Sequence, residues 1–322
     1  MAKAISWESR IGRRLRLRDL HVFFAVVQSR SMAKAAANLG VTQPSVSTSI
    51  RDLEVALNVR LFDRSPQGVE LTAYGTALRK CGLAVFDDLR QGIKNIEFLS
   101  DPDAGEVRIG SAEAMMSGCV PAIIDRLARL RPRVVFHTVE GAGQPLRNAL
   151  RERRVDMVVS RKPLSPPEED FASEILFHDE LHVVVGAASR WASRRKIKLA
   201  ELLDEPWIIP TPDSSVDALF REYFRSEGMA LPRLSVATDS MILRTRLLET
   251  GRYVSVLPRS ILFFGGDLPH VKILPVSLPG IALVTEILTL KNRTLSPAAE
   301  LFIQCARDVA KSMAATKMKK RS

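Results

Sequence analysis

The chain has 322 residues, of which 46% are hydrophobic, and it carries a formal net charge of +11. That length exceeds one ordinary domain, so we expect two or three. No apolar run reaches the ~18 residues of a membrane-spanning helix, and the first 20 residues lack the apolar core of a signal peptide. The composition therefore excludes a helical membrane protein, and we expect a soluble, cytoplasmic one with no membrane partner.

The positive charge is concentrated at the two ends of the chain. Residues 1–75 contain 11 Lys/Arg against 6 Asp/Glu, and residues 311–322 contain five Lys/Arg and no acid. The long middle is almost neutral. A basic N-terminal unit is typical of a protein that binds a polyanion such as DNA, whereas the basic tail also has the composition of a disordered, solubilising end.

Motifs for enzyme chemistry are weak. The three cysteines, Cys81, Cys119 and Cys305, are widely spaced and form no CxxC, so neither a disulfide nor a zinc site is predicted. His178 and His182 have a metal-ligand spacing, but they lie in a predicted strand, where residues four apart are ~13 Å apart. No P-loop, GxSxG or HExxH is present. We expect no cofactor, metal or catalytic residue, and keep an enzyme built on the C-terminal half as the alternative.

Helical periodicity begins near residue 20. Leu20, Phe23, Phe24 and Val27 mark one apolar helix face, with Asp19 as the predicted N-cap. Ser31 is the predicted cap of a second helix, and Gly40 supplies the turn after it.

Thr42 is the predicted cap of a third helix, in which Pro44 falls in the first turn. Val46, Ile50 and Leu53 form its apolar face. A short Gly-containing turn between two helices indicates a helix-turn-helix whose second helix enters the major groove of DNA. A small helical bundle with a polar solvent face remains the alternative.

The segment after the third helix is typical of a β-hairpin. Leu61 and Phe62, the turn 65–68, and then 69–71 predict strand, tight turn and strand. Arg64 lies at the base of this predicted wing, where it is positioned for a phosphate or the minor groove.

This N-terminal run resembles the DNA-binding domain of LysR-type transcriptional regulators. The matching pieces include VTQPS, IR, LE, LFDR and LT, in fixed order from Val41 to Thr72. The polar helix face and the resemblance together give nine candidate DNA-contacting residues. They are Ser31, Thr42, Gln43, Pro44, Ser45, Ser47, Thr48, Arg51 and Arg64. Thr48 is a departure, because many members of the family carry Arg there.

A long helix is predicted from about residue 73 to 99, followed by a turn-rich hinge at 100–105. Its apolar residues and two glycines recur every three or four positions, as in a coiled coil, although packing on its own domain would give the same pattern. These positions are Leu78, Gly82, Val85, Leu89, Gly92, Ile96 and Leu99. The resemblance implies that this helix forms the dimer, and two copies would read a pseudo-palindromic operator in double-stranded DNA.

From residue 106 short β-branched strands alternate with helices, which predicts an α/β domain. The resemblance covers this region too. It implies an effector domain like a periplasmic binding protein, with subdomain I at 106–180 and 285–313 and subdomain II at 181–284. The chain would cross between them near residues 180 and 284.

The resemblance implies that a small-molecule effector binds in the cleft between the subdomains. Candidate effector-binding residues are Ser111, Glu113, Met116, Ser160, Arg161, Thr211, Ser214, Thr238 and Asp239. Arg161 is the strongest candidate for pairing an anionic effector, whereas Glu113 adds an acid that does not suit a purely anion-seeking pocket. N-capping of helices alone would also explain the hydroxyl residues.

The predicted architecture is an N-terminal all-α winged helix-turn-helix with a linker helix, followed by the two-subdomain α/β effector domain. Its units are a basic extension at 1–14, the DNA-binding domain at 15–72, the linker at 73–105, the effector domain at 106–313 and a basic tail at 314–322. The predicted function is a sequence-specific, effector-controlled transcriptional regulator that forms a homodimer or homotetramer. A sequence-indifferent nucleoid protein is the further alternative.

Overall fold

The computed structural model of the protein describes residues 15–65, 68–166, 168–212, 214–266 and 268–315. The predicted extension at 1–14, most of the basic tail and the centre of the predicted wing turn lie outside these residues. The chain divides into two units between Leu89 and Arg90, within one long helix.

The N-terminal unit contains three helices, a two-stranded hairpin and the start of a long helix, in the predicted order. The helices are α1 (Leu17–Ser29), α2 (Met32–Leu39) and α3 (Gln43–Leu57); the strands are β1 (Phe62–Ser65) and β2 (Gly68–Leu71); and the long helix is α4 (Ala73–Ser100). Strands β1 and β2 pair antiparallel.

Local capping residues define two of these helices. The side chains of Ser31 and Thr42 each accept the backbone N–H three residues further on, at 3.4 Å, as predicted. Gly40 ends α2 with a φ of 65°, a conformation that glycine adopts without strain. The prediction for Asp19 is wrong: α1 begins at Leu17, and Asp19 lies in its first turn. Acidic residues are favoured by the helix dipole at either position, so composition alone does not separate them.

One of the two glycines in α4 allows close packing within the N-terminal unit. A Cβ on Gly82 would lie 2.7 Å from the ring of Phe24, so α4 approaches α1 at this point as only glycine allows. Leu78 also packs against the core formed by α1, α2 and α3, which includes the fully buried Phe23 and Ile50. The first half of α4 is therefore an amphipathic helix packed on its own domain.

The C-terminal unit is α/β, as predicted. Its strands are β3 (Ala104–Ser111), β4 (Arg133–Glu140), β5 (Met157–Arg161), β6 (Phe171–Gly186), β7 (Trp207–Ile209), β8 (Leu234–Ala237), β9 (Val254–Pro258), β10 (Val271–Ile273) and β11 (Ala282–Leu290). Its helices after α4 are α5 (Glu113–Met116), α6 (Cys119–Leu130), α7 (Gln144–Arg151), α8 (Ser215–Ser226), α9 (Met241–Glu249), α10 (Arg259–Phe264) and α11 (Pro297–Ala315).

Two long strands connect the halves of the sheet, whose order is β4-β3-β5-β11-β6-β9-β7-β8, with β10 also on β6. The first ten residues of β6, Phe171 to Glu180, pair antiparallel with β11, and its second part pairs with β9. Strand β3 is parallel to both of its neighbours. The predicted crossing points at 180 and 284 therefore fall inside β6 and β11.

Each half of this sheet has its own hydrophobic core. The first core is built on β3, β5, α6 and α11 and includes Ile109, Leu127 and Phe302. The second lies around Trp207 and Phe220, on β6, β7, β9 and α8. We call these core I and core II. None of the helices in the described ranges is long and apolar enough to cross a membrane.

Candidate DNA interface and effector cleft

The start of α3 presents a polar surface opposite a dry core. Val46, Ile50 and Leu53 are each 0% exposed, which fixes the rotation of the helix about its axis. The opposite face is predominantly solvent-exposed; it carries Thr42, Gln43, Pro44, Ser45, Thr48 and Arg51, with Ser47 half-buried at its edge. The structure thus brings seven of the nine predicted DNA contacts together on one helix and its cap.

Two side-chain hydrogen bonds order this polar face. The Thr42 and Ser45 hydroxyl oxygens are 2.9 Å apart, and Arg51 Nη2 donates to Thr48 Oγ1 at 3.5 Å. Thr48 is the position that departs from the family pattern. In this chain it holds the guanidinium of Arg51, the cation that remains on this face.

The start of α2 adds a second set of donors. Ser31 is half-buried and caps the helix, while Lys34, in its first turn, is exposed. In helix-turn-helix proteins the first helix crosses the DNA backbone, so an exposed cation there suits a phosphate. Sequence reasoning missed Lys34 because one lysine in MAKAAANL forms no pattern.

A carboxylate of α3 accepts hydrogen bonds from the backbone at the start of the wing. Glu54 Oε1 accepts the backbone N–H of Leu61 at 2.8 Å and that of Phe62 at 3.4 Å. Arg64 pairs with Val69 in the hairpin, and its side chain is exposed. Glu54 therefore positions the strand that carries Arg64, a role that the matching LE motif did not reveal.

The second half of α4 carries an exposed apolar stripe. Leu89, Ile93, Ile96 and Leu99 are 45, 57, 66 and 82% exposed, at a spacing of three or four residues. The predicted coiled-coil positions therefore form two groups: Leu78 and Gly82 face the core of the N-terminal unit, and the later positions Leu89, Ile96 and Leu99 are exposed. Ile93, which the sequence pattern assigned to no seam position, belongs to the stripe.

Several predicted effector residues make local structural bonds. Ser111 ends β3, is fully buried and donates to Val159 O at 2.7 Å. Ser214 caps α8 by accepting the Asp217 N–H at 3.1 Å. Thr238 Oγ1 accepts the N–H of Ser240 at 3.0 Å. Of these three hydroxyls, only that of Ser214 has the helix-capping role that is the alternative to effector binding; those of Ser111 and Thr238 bond to a neighbouring strand and within a loop.

Arg161 is paired with a buried carboxylate of the chain. Its Nη2 donates to Asp179 Oδ2 at 2.7 Å and its Nη1 to Thr285 Oγ1 at 2.9 Å. The side chain of Asp179 is 0% exposed and also accepts the N–H and hydroxyl of Ser260, at 3.0 and 2.6 Å. The cation predicted to meet an anionic effector is therefore neutralised within the protein. The sequence did not predict this pairing, because Asp179 lies on another strand, β6, 18 residues away from Arg161.

Three other polar residues lie close to the ends of β7 and β8 and on α9: Thr211, Asp239 and Arg244. Thr211 donates through both its hydroxyl and its backbone N–H to Asp239. Arg244, which is 4% exposed, donates to Thr238 O at 2.6 Å and Val256 O at 3.3 Å. Burial lowers the pKa of Arg244, and the charges of Asp239 and Glu113 oppose that shift. Arg244 carried no motif and was missed.

Glu113 links α5 to α9. It opens α5, which follows strand β3 of core I, and its Oε1 accepts the backbone N–H of Met241 at 2.6 Å. Met241 is the first residue of α9 and packs in a separate apolar cluster with Val184 and Ile208, on strands of the second half of the sheet; Ala114 of α5 also packs against this cluster. Met116 is half-buried against core I, and Ser160 is half-buried on β5.

Two recesses in the C-terminal unit are lined mainly by other residues, although Asp179, the partner of Arg161, lines the second. One, of about 610 Å³, is lined by residues of α4, α11 and Arg131. A second, of about 580 Å³, is lined by β6 residues that include His178 and His182 and by the loop 274–281. None of the nine predicted effector residues lines either recess.

The structure also separates the candidate metal and thiol groups. His178 and His182 both lie on β6, as the strand prediction required, and the described residues contain no group of three or more metal-ligating side chains. Burial raises the pKa of the Cys119 thiol to about 12, so this thiol is inert near neutral pH.

Comparison with known proteins identifies both units. Residues 17–76 match the family model described as bacterial regulatory helix-turn-helix protein, lysR family, and residues 100–311 match that of the LysR substrate binding domain. The chain is 26% identical over 295 residues to the HTH-type transcriptional regulator GbpR of Azospirillum brasilense, covering 91% of this chain and 86% of GbpR. It is 26% identical over 294 residues to the transcriptional dual regulator GltC of Bacillus subtilis, covering 90% and 96% of the two chains.

Solved structures show the same fold. Full-length OxyR from Pseudomonas aeruginosa matches with a TM-score of 0.62 and 22% identity, covering 91% of this chain and 98% of that one. The LysR family regulator CbnR matches with a TM-score of 0.55 and 20% identity, covering 91% and 100%. The helix-turn-helix face, the α/β effector unit and two family models that together span most of the chain lead to one conclusion: this protein belongs to the LysR family, and it is a transcriptional regulator rather than an enzyme.

Proposed function

We propose that the protein acts in the cytoplasm as a dimer, or a dimer of dimers, that binds a pseudo-palindromic operator and responds to a small-molecule effector. The observation that carries this proposal is the exposed polar face at the start of α3, held above a fully buried apolar face. A helix in this orientation places its N-terminal side chains against base edges in the major groove.

On this proposal five of the nine predicted residues have distinct roles. Gln43 has the geometry to pair with adenine and Arg51 with guanine or a phosphate. Ser31 and Arg64 flank the helix and suit phosphates, as does the exposed Lys34. Because Thr48 is bonded to Arg51, it acts by orienting that guanidinium.

The exposed stripe on α4 supports dimer formation. Four large apolar side chains at helical spacing on one helix are typical of a surface that a second helix covers. A second copy of α4 would bury Leu89, Ile93, Ile96 and Leu99 and bring two recognition helices onto one operator. Each copy then reads one half-site.

For the effector, we propose the region between core I and core II, around α5 and α9. Thr211, Asp239 and Glu113 present polar groups there, with Met116 beside them. Ser111, Ser214 and Arg161 hold this region in shape through their bonds to Val159, Asp217 and Asp179. Thr211, Asp239 and Glu113 are also bonded within the protein, so a ligand would have to exchange with those bonds. Effector control requires that the ligand binds two arrangements of the cores with different affinity.

The test is operator binding by a Gln43→Ala variant, with Gln28→Ala on the exposed side of α1 as the matched control. Loss of the Gln43 amide should cost about 1–3 kcal/mol at particular base pairs and relax the preference at those positions. Genome-wide mapping of bound DNA supplies the operators, and binding assays on point-changed operators measure the preference. Equal affinity and unchanged base preference in the Gln43 variant would contradict the assignment of α3 as the reading helix.

A further inference from the structure

The contact between Glu113 and Met241 joins α5 to α9 through residues 128 positions apart in the chain. The N-terminus of α9 has free backbone N–H groups, as every helix does. Ser240 caps this helix by accepting the Leu243 N–H, and the carboxylate of Glu113 takes the Met241 N–H. A negative charge at a helix N-terminus is also favoured by the helix dipole.

A buried cation reinforces the charge at this position. Arg244 lies one turn further along α9, is 4% exposed, and makes its hydrogen bonds to carbonyl oxygens of Thr238 and Val256. Its Nε has no hydrogen-bond partner, and among the described residues no carboxylate is bonded to it. The charges that act on it are those of Asp239 and Glu113. The start of α9 thus combines amide donors and a desolvated positive charge, and both favour a carboxylate.

We propose that Glu113 is a tethered carboxylate that links α5, on the half of the sheet with core I, to α9, on the half with core II, when no effector is bound. The effector carries a carboxylate that replaces it at the Met241 N–H. This inference rests on the proposed function, in which the region between the cores binds the effector. The other cation of the region, Arg161, already forms an ion pair with the carboxylate of Asp179. Among the described residues no carboxylate is bonded to Arg244, so we place the exchange at the start of α9.

The exchange of one carboxylate for another explains how a ligand could change the arrangement of the cores. A bound ligand carboxylate would satisfy the Met241 N–H, so no buried donor is lost. The link from α5 to α9 would nevertheless be broken, since Glu113 could no longer reach its donor. A ligand without an anionic group would leave that donor unpaired, and it would therefore be discriminated against.

The experiment uses the full chain and acetate as the probe. Glu113→Ala should lower the midpoint of thermal unfolding by about 3–6 °C, since a charge-assisted hydrogen bond is lost. Acetate at about 100 mM should restore part of that loss by mass action, whereas acetamide or sodium chloride at the same concentration should not. Glu113→Gln keeps an acceptor oxygen, so its midpoint of thermal unfolding should lie between those of the unaltered protein and Glu113→Ala. Glu222→Ala, which removes a surface ion pair with Arg225, is the control and should not respond to acetate.

Hydrogen exchange of a peptide that covers the start of α9 gives a readout that a general loss of stability would not imitate. Exchange there should accelerate in Glu113→Ala and slow again with acetate, while a peptide from α11 stays unchanged. Unchanged exchange at α9, or an acetate response equal in the Glu222 control, would overturn the proposal. If Glu113→Ala shows no acetate effect but a metabolite screen still finds ligands that alter DNA binding, the proposal fails and the proposed function stands.

Discussion

Replacing Arg161 tests whether the ion pair with Asp179 holds the effector unit together. Asp179 lies on β6 and also accepts two hydrogen bonds from Ser260 at the start of α10, so one carboxylate joins three elements. Arg161→Met keeps most of the side-chain volume and removes only the charge and the donors. The buried carboxylate is then left without its cation.

The magnitude follows from the burial of the pair. Removing one partner of a buried ion pair costs about 3–5 kcal/mol, because the other charge stays desolvated. Asp179 keeps three donors, from Ser260 and from the Glu180 N–H at 3.0 Å, which places the expected loss near the lower limit. We expect the free energy of unfolding to fall by about 3 kcal/mol. With an m-value of roughly 2–3 kcal/mol/M, the urea midpoint falls by about 1–1.5 M.

The assay is urea unfolding followed by tryptophan fluorescence. Trp191 and Trp207 are both buried around core II and report on the effector unit. Trp7 is replaced by Phe in every variant so that it contributes no signal. The double variant Arg161→Met/Asp179→Asn should recover much of the loss, since replacing both partners removes the uncompensated charge.

Two results would refute this reasoning. A loss below about 1 kcal/mol would show that the pair is worth no more than a surface ion pair. If the double variant lost as much free energy of unfolding as Arg161→Met and Asp179→Asn lose together, the two residues would not interact energetically.

Three further outcomes are expected. Ile96→Glu places a charge in the exposed stripe of α4 and should shift sedimentation from dimer towards monomer. The change to Glu at the exposed Lys80, earlier on the same helix, should leave the dimer intact. A dimer that is unchanged in Ile96→Glu would place the interface elsewhere. In the native protein a thiol reagent at pH 8 should rapidly label only the exposed Cys81 among the three cysteines. After unfolding it should label all three. Rapid labelling of native Cys119, whose pKa is raised to about 12, would contradict its burial. Burial lowers the pKa of His182 below its ordinary value of 6.5, so the unfolded chain takes up the proton first. The contribution of neutral His182 to the free energy of unfolding is therefore fully present above about pH 6.5 and is lost as the pH drops below that value. His182→Gln should reduce the fall in the thermal midpoint between about pH 7 and pH 5.5.

The amino-acid sequence determined the parts of this protein that depend on neighbours along the chain. Ser31 and Thr42 cap the helices that they precede, and Gly40 ends α2, because a cap or a left-handed residue acts within one turn of itself. The buried face of α3 followed from its 3.6-residue period. These local signals were enough to define the helix-turn-helix and its polar face.

Tertiary structure decided what each side chain of the effector unit does. The pattern predicted Arg161 as an open cation and Glu113 as an extra acid, but their partners, Asp179 and Met241, lie 18 and 128 residues away. In the sequence pattern Gly82 weakens a coiled-coil seam, whereas in the fold it allows α4 to approach the ring of Phe24, which a Cβ at residue 82 would contact too closely. Periodicity reports which face of an element is apolar, whereas the pairing of a charge depends on which strands and helices the fold brings together.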